Sequence, residues 1–190
     1  MTDERDQSSE KQASRLKILP GKELTKELLA KGEAAFRHRY NHPFLAIMQE
    51  PPSDDEWVDP QTVETAITEL VARAGQGPVL KVVRIVKSSR NVFGSKITVG
   101  RAKNNDIIIR ASKISKLHAA FIPAGKNKYK LLDMGSSNGT FINGVQLKAK
   151  ESKVLKSKDE IVLWRYVFEY IEIDDLLKRL RGSGKTPNNR

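Results

Sequence analysis

Short β-rich runs separated by turn residues fill the chain from residue 79 to residue 173. Many short strands joined by turns are typical of an antiparallel β-sandwich or barrel. The strongest hairpin signal is Asn143-Gly144, because both residues tolerate the positive φ angles that a two-residue turn requires. The sequence therefore predicts a mainly β fold in this part of the chain. The runs are 79–86, 96–100, 107–110, 118–123, 128–133, 140–142, 145–147, 160–164 and 166–173.

The residues before this β-rich segment differ in character. Residues 1–18 are polar and mixed in charge, which predicts a disordered N-terminus. Residues 19–75 read as a helical extension of unknown role. Apolar residues at helical spacing predict amphipathic helices over 22–39 and 60–75, and an acidic linker containing prolines, 50–59, separates them.

A short helix and a basic tail are predicted for residues 174–190, after the last β-rich run. Asp174–Arg181 has helical character, and Gly182-Ser183-Gly184 follows it as a stop signal. The whole chain is therefore expected to combine a β domain over 79–173 with helical segments on both sides of it.

Charge is distributed unevenly along the 190 residues, whose net charge is +11. Residues 1–79 carry 10 basic and 14 acidic side chains, net −4, whereas residues 80–190 carry 24 basic and 9 acidic ones, net +15. A positive body of this size attracts anions. Charge alone does not decide between nucleic acid, an acidic membrane surface and phosphorylated protein.

Composition excludes several classes of protein. Because there is no Cys, the chain has no disulfide framework, no thiolate zinc site and no Cys nucleophile. No apolar run approaches the roughly 18 residues of a membrane helix, and the N-terminus lacks the apolar core of a secretory signal. We therefore expect a cytoplasmic protein without a membrane partner.

Two residue patterns suggest chemistry that the sequence context disfavours. Gly135–Gly139, Gly-Ser-Ser-Asn-Gly, fits a nucleophile elbow with Ser137, but a β-hairpin follows it and no His comes after His118. His38 and His42 are four residues apart, but no third metal ligand is evident, and we expect both to be solvated surface residues. The sequence thus predicts no enzyme activity, no metal and no cofactor.

Polar residues gather at the ends of the predicted strands. Arg101 follows the run 96–100, Ser115 precedes the run 118–123, and Ser137 and Asn138 precede the run 140–142. One guanidinium, two hydroxyls and an amide are the donors that a tetrahedral dianion needs.

These motifs resemble the forkhead-associated (FHA) domain family from about Val79 to Ile173. The resemblance is carried by Gly100-Arg101, Asn105-Asp106-Ile107, Ser115-Lys116-Leu117-His118 and the run Asp133–Gly144. It implies an eleven-stranded antiparallel β-sandwich without enzymatic activity, which binds phosphothreonine-containing peptides through loops at one end.

The resemblance also implies a role for each matching residue. Phosphate contacts are expected from Arg101, Ser115, Lys116 and Ser137, and Asn138 is expected to hold the peptide backbone. Lys116 stands where many family members have Arg, so it can meet phosphate only as a point charge. The expected loop-structuring residues are Gly100, His118, Gly139, Thr140, Asn143 and Gly144.

The function expected from these features is a phosphothreonine-peptide-binding adaptor in Ser/Thr kinase signalling. Its partner would be a phosphothreonine-containing protein, either a Ser/Thr kinase or a kinase substrate. Two alternatives remain open. One is a basic nucleic-acid binder, although the β segment has few exposed aromatic residues for base stacking. The other is a structural scaffold with a non-functional phosphate pocket. The oligomeric state is open as well. A further idea is self-inhibition by a phosphorylated threonine of the extension: Thr2, Thr25, Thr62, Thr65 or Thr68.

Overall fold

This computed structural model describes residues 16–51 and 80–182, which form two β-sheets and two helices. The helices are α1 (Gly21–Arg39) and α2 (Ile173–Gly182). The predicted helix at 60–75, most of the linker at 50–59, the first fifteen residues and the tail from 183 lie outside the described residues. The strands are β1 (Ile18–Pro20), β2 (Phe44–Gln49), β3 (Lys81–Arg84), β4 (Ile97–Gly100), β5 (Ile107–Ile108), β6 (Ala119–Pro123), β7 (Tyr129–Asp133), β8 (Thr140–Ile142), β9 (Val145–Gln146), β10 (Ser152–Val154), β11 (Glu160–Leu163) and β12 (Tyr166–Ile171).

The predicted β-sandwich is confirmed, with one departure from antiparallel pairing. One sheet has the order β1-β3-β2-β12-β11-β8-β9 and the other β10-β7-β6-β4-β5. The inner faces bury a shared core that includes Val99, Phe121, Leu131, Ile161 and Phe168. β4 and β5 pair in parallel, with Gly100 opposite Ile108, so the sandwich expected to be wholly antiparallel is mixed.

β2 lies in the interior of the larger sheet, although the sequence analysis assigned its residues to the helical extension. It pairs with β3 and β12, so that Ala46 lies opposite both Val82 and Glu169. The predicted domain boundary at residue 79 therefore leaves out a strand of the sandwich. With β1, which pairs with β3, the described residues contain twelve strands rather than eleven.

The two helices form a third layer on the outer face of the larger sheet. Along β2, Leu45 joins the core between the sheets, whereas Phe44 and Ala46 join a second apolar cluster with the helices. Arg37 of α1 lies 2.7 Å from Asp174 of α2. α1 matches the helix predicted over 22–39 but is interrupted at Gly32, whose φ is 76°. Neither helix of the described ranges is long and apolar enough to cross a membrane.

His42, in the loop between α1 and β2, is buried, so the expectation of a solvated histidine is wrong for this residue. The Nε of Arg84 donates to His42 Nε2 at 2.9 Å, and His42 Nδ1 lies 3.0 Å from the carbonyl oxygen of Pro43. Because Nε2 accepts, Nδ1 carries the proton and donates to that carbonyl. Burial lowers the pKa of His42.

Candidate functional site

Three loops meet at one end of the sandwich because the strands that carry them lie side by side. Val99 of β4 lies opposite Ala119 of β6, and Ala119 lies opposite Asp133 of β7. The end of β4, the start of β6 and the end of β7 are therefore neighbours. The loops 101–106, 109–118 and 134–139, called the site loops below, all lie at this end.

Backbone hydrogen bonds join the first two site loops. The N–H of Arg101 donates to the carbonyl oxygen of Ser115 at 3.0 Å, and the N–H of Ala102 donates to that of Lys116 at 3.2 Å. The side-chain amide of Asn105 donates to the same Lys116 carbonyl at 2.7 Å. These bonds fix the backbone of Arg101 beside that of Ser115. The side chain of Lys116 itself is exposed.

Gly100 allows this close approach of the two loops. A Cβ atom at this position would lie 2.4 Å from the carbonyl oxygen of Lys116. That oxygen belongs to the backbone and is held by Ala102 and Asn105, so it has little freedom to move. The expected loop-structuring role of Gly100 therefore has a steric cause here.

His118 ties the second site loop to the third and is fully buried. Its Nδ1 accepts the N–H of Ser115 at 3.2 Å, so Nε2 carries the proton and donates to the carbonyl oxygen of Gly139 at 3.0 Å. Burial lowers the pKa of His118, although the Gly139 contact and the nearby charge of Asp133 act in the opposite direction. The neutral ring with the proton on Nε2 is the form that holds both loops.

The polar side chains of the second and third site loops contact each other directly. The N–H of Ser137 donates to Ser115 Oγ at 3.0 Å, and the two hydroxyl oxygens lie 3.4 Å apart. Asn138 Nδ2 donates to the carbonyl oxygen of Lys113 at 2.6 Å. The structure thus brings Ser115, Ser137 and Asn138 together, next to the backbone of Arg101.

Asp133 shapes the third site loop from its first turn. Its carboxylate accepts hydrogen bonds from the N–H groups of Gly135 and Ser136 and from the hydroxyls of Ser136 and Thr140. Burial would raise the pKa of Asp133, but these hydrogen bonds outweigh burial and hold the pKa below its usual value. Thr140 is fully buried, so its contact with the carboxylate also anchors the start of β8.

The remaining loop-structuring residues lie in two places. Gly139 has a φ of +80° and sits in the third site loop, where a Cβ would come within 2.6 Å of Gln146 Nε2. Asn143 and Gly144 form the predicted β8–β9 turn, with φ angles of 52° and 74°. This turn lies at the far end of β8, where Asn143 contacts Asp159, so it shapes the hairpin and not the site loops.

Arg110 is a cationic residue of this end that the sequence analysis missed. Together with Arg101 and Lys103 it lines a depression of about 390 Å3, and all three side chains are exposed. The signal was present as an Arg at the end of the predicted run 107–110. Its meaning depends on the parallel pairing of β4 with β5, which the sequence did not reveal.

Within residues 16–51 and 80–182, no three His, Asp or Glu side chains come together in a way that could hold a metal ion. The donors gathered at the site loops are hydroxyl, amide, guanidinium and backbone N–H groups. Such groups bind an anion through hydrogen bonds and charge.

Comparison with known proteins identifies the part of the chain that carries this site. The model of the FHA domain family matches residues 97–163, which include all three site loops. Residues 97–163 therefore belong to the FHA domain family. The strands β1, β2, β3 and β12, which complete the larger sheet, lie outside the matched segment.

One curated relative resembles part of the chain. The chain is 36% identical over 67 residues to a protein of Corynebacterium jeikeium (strain K411) named oxoglutarate dehydrogenase inhibitor. The similarity covers 35% of this chain and 44% of the relative. The chain thus matches less than half the length of that protein.

Solved FHA domains resemble the chain over 47% to 68% of its length. The MEK1 FHA domain in complex with a HOP1 phosphothreonine peptide is 26% identical, with a TM-score of 0.39, and 49% of this chain and 89% of that one are covered. The FHA domain of an Arabidopsis thaliana hypothetical protein is 30% identical, with a TM-score of 0.40, and 47% of this chain and 72% of that one are covered. The FHA domain of the CT664 protein from Chlamydia trachomatis is 17% identical, with a TM-score of 0.42, and 68% of this chain and 97% of that one are covered.

Proposed function

We propose that this protein is a phosphothreonine-peptide-binding adaptor that acts in Ser/Thr kinase signalling. The observation that carries the proposal is the convergence of Arg101, Ser115, Ser137 and Asn138 at one end of the FHA domain. The direct hydrogen bonds among the site loops support a site that is formed before a ligand arrives. A preformed site loses little conformational entropy on binding.

The chemistry of the site suits a phosphoryl group on a peptide. A phosphothreonine carries a charge of about −1.5 to −2 at neutral pH and three strong acceptor oxygens. Arg101 supplies a permanent charge and the hydroxyls of Ser115 and Ser137 supply neutral donors. Asn138 keeps a second amide hydrogen and its carbonyl oxygen for the backbone of the peptide.

The phosphate should dominate affinity. A hydrogen bond to a charged group contributes roughly 1.5–3 kcal/mol. Two such bonds correspond to a difference of about 100-fold or more between the phosphorylated peptide and its unmodified form, since ~1.4 kcal/mol is tenfold. A kinase would thus switch binding on, and the partner would be the kinase itself or one of its substrates.

The relative in Corynebacterium jeikeium supports a role through binding rather than catalysis, because its name describes an inhibitor. To a role through binding, the proposal adds one mechanism: a phosphothreonine-dependent contact brings this chain to its partner. Long-range attraction by the basic half of the chain would raise the rate of association more than the final affinity.

The test is binding to an oriented phosphothreonine peptide library, compared with the same library carrying threonine. We expect a preference of about 100-fold or more for the phosphorylated library, and Arg101→Ala should remove most of it. Lys126→Ala is the matched control, because Lys126 is exposed in the turn between β6 and β7 at the opposite end of the sandwich. Equal binding of both libraries would refute the proposal. Salt-sensitive binding to random DNA that survives Arg101→Ala would favour the nucleic-acid alternative.

A further inference from the structure

The depression beside Arg101 holds more positive charge than one phosphoryl group neutralises. Arg101, Lys103 and Arg110 line it, together with Ala102, Ala111 and Ser112, and its volume is about 390 Å3. We call it the Arg110 depression. Three cations face it, whereas a phosphothreonine brings a charge of only about −1.5 to −2.

The parallel pairing of β4 and β5 is what places Arg110 next to Arg101. Gly100 lies opposite Ile108, and the N–H of Ile109 donates to the carbonyl oxygen of Gly100 at 3.1 Å. Parallel strands run in the same direction at a spacing of about 4.8 Å, so the residues that follow them emerge at the same end. With antiparallel pairing, the end of β5 and with it Arg110 would lie far from Arg101.

The three cations have no carboxylate partner within residues 16–51 and 80–182. Other arginines of the described chain do: Arg37 contacts Glu33 and Asp174, and Arg39 contacts Glu27. Those arginines hold α1 and its surroundings in place. The cations of the Arg110 depression hold no element together in this way, and their mutual repulsion would be relieved by a bound anion.

The Arg110 depression and the hydroxyl pair are two neighbouring places that share Arg101. The backbone N–H of Arg101 donates a hydrogen bond to the carbonyl oxygen of Ser115, and the Ser115 hydroxyl oxygen accepts one from the N–H of Ser137. Among the described residues that line the depression, neither of these serines is present. A ligand with one anionic group can occupy only one of the two places fully.

We propose that the Arg110 depression binds a second anionic side chain of the peptide whose phosphothreonine lies at Ser115 and Ser137. This inference rests on the proposed function and narrows the ligand to peptides with two negative groups close together. The second group can be a phosphorylated residue or a carboxylate. A second phosphate gains more than a carboxylate, because it carries a charge of about −1.5 to −2 and three acceptor oxygens for the fork of donors on Arg110.

The experiment uses peptides with one fixed phosphothreonine and a phosphoserine that is moved from four residues before it to four residues after it. A second series carries glutamate instead, and the reference peptide carries serine. The measured quantity is the ratio of the Kd of the reference peptide to that of the doubly charged peptide. We expect a ratio of about 10 at a limited set of positions and a smaller one with glutamate.

The double variant Lys103→Ala/Arg110→Ala should reduce this ratio to below about 2. Its matched control is Lys126→Ala/Lys128→Ala, which removes the same charge from two exposed lysines near the opposite end of the sandwich and should keep the ratio near 10. A uniform gain at every position, or an equal loss in both double variants, would overturn the inference in favour of a general attraction by the basic surface. A ratio near 1 with a phosphothreonine peptide that still binds would overturn the inference alone. Failure of every phosphorylated peptide to bind would overturn the proposed function as well.

Discussion

The backbone N–H of Ser137 donates a hydrogen bond of 3.0 Å to the hydroxyl oxygen of Ser115, 22 residues earlier in the chain. A serine hydroxyl has one proton to donate and two lone pairs that accept. Because Ser137 occupies a lone pair of Ser115, the hydroxyl oxygen is held in place, and its proton makes only the longer contact of 3.4 Å with Ser137 Oγ, which a ligand can replace. Two separate loops thereby present one oriented donor.

Ser115→Ala should weaken binding of a phosphothreonine peptide by about tenfold, since a hydrogen bond to a charged group is worth roughly 1.5–3 kcal/mol. The variant also removes the acceptor of the Ser137 N–H, which loosens the third site loop. Isothermal titration calorimetry measures the change, and Ser152→Ala on the exposed strand β10 serves as the control. Equal affinities of Ser115→Ala and the native protein would contradict the role of this hydroxyl.

Gly100→Ala should destabilise the fold more than Gly144→Ala. At Gly100 the added Cβ would meet a backbone oxygen at 2.4 Å, and overpacking costs about 1–3 kcal/mol, with the upper end expected where the contact is a fixed backbone atom. At Gly144 there is open space around the Cβ, so only the positive φ of 74° is penalised, by about 1–2 kcal/mol. Urea unfolding compares the two variants. The same loss for both would show that the loops can part at Gly100 without cost.

Stability should decrease as the pH falls below 6.5, because burial holds the pKa values of His42 and His118 below that usual value in the folded state. The unfolded chain then binds protons that the folded chain excludes, so unfolding is favoured from pH 6.5 downwards to the folded-state pKa values. Protonated His118 could no longer accept the N–H of Ser115 at Nδ1. Denaturant unfolding at a series of pH values measures this slope.

The variants His42→Gln and His118→Gln should each flatten the slope below pH 6.5. His38→Gln is the control, since this third histidine is exposed on α1. Asp133 acts in a separate window: its lowered pKa adds stability that is lost only as the pH falls below its usual value of 3.8. If His38→Gln removed the slope between pH 6.5 and 5 while the two buried variants left it intact, the assignment of the slope to His42 and His118 would be refuted.

A fragment of residues 79–173 should not fold, whereas a fragment of residues 16–182 should. The shorter fragment lacks β1 and β2, so β3 loses both of its neighbouring strands. It also exposes the apolar outer face that α1 and α2 cover. Circular dichroism and amide dispersion in NMR spectra distinguish the two. Native-like spectra from the shorter fragment would show that the outer layer is dispensable.

The parts of the fold that the sequence predicted are those in which local signals agree with the tertiary environment. The turn at Asn143-Gly144 has the positive φ angles that these residue types favour. The period of α1 is visible because Leu24, Leu28 and Phe36 are buried on one side of the helix. The site loops were predicted through their motifs, since Gly100, Ser115 and His118 each contribute a contact that depends on residue type.

The parts that were missed depend on contacts distant in sequence. β2 is an apolar run, Phe44–Met48, that resembles a buried strand, but its pairing with β3 crosses more than thirty residues of chain. β10 is short and exposed, so it carries no periodic signal. Arg110 lies at the site end because two residues of β5 pair in parallel with β4, a relationship set by the whole sandwich.

The central claim is that the three site loops together bind one phosphoryl group, and an NMR titration tests it most directly. We predict that a phosphothreonine peptide shifts the amide signals of Arg101, Ser115, Ser137 and Asn138 together, with one dissociation constant, while the turn at Asn143 and Gly144 does not respond. The same peptide with unmodified threonine should leave all of them unchanged at equal concentration. Shifts confined to a single loop, or equal shifts with both peptides, would contradict the claim.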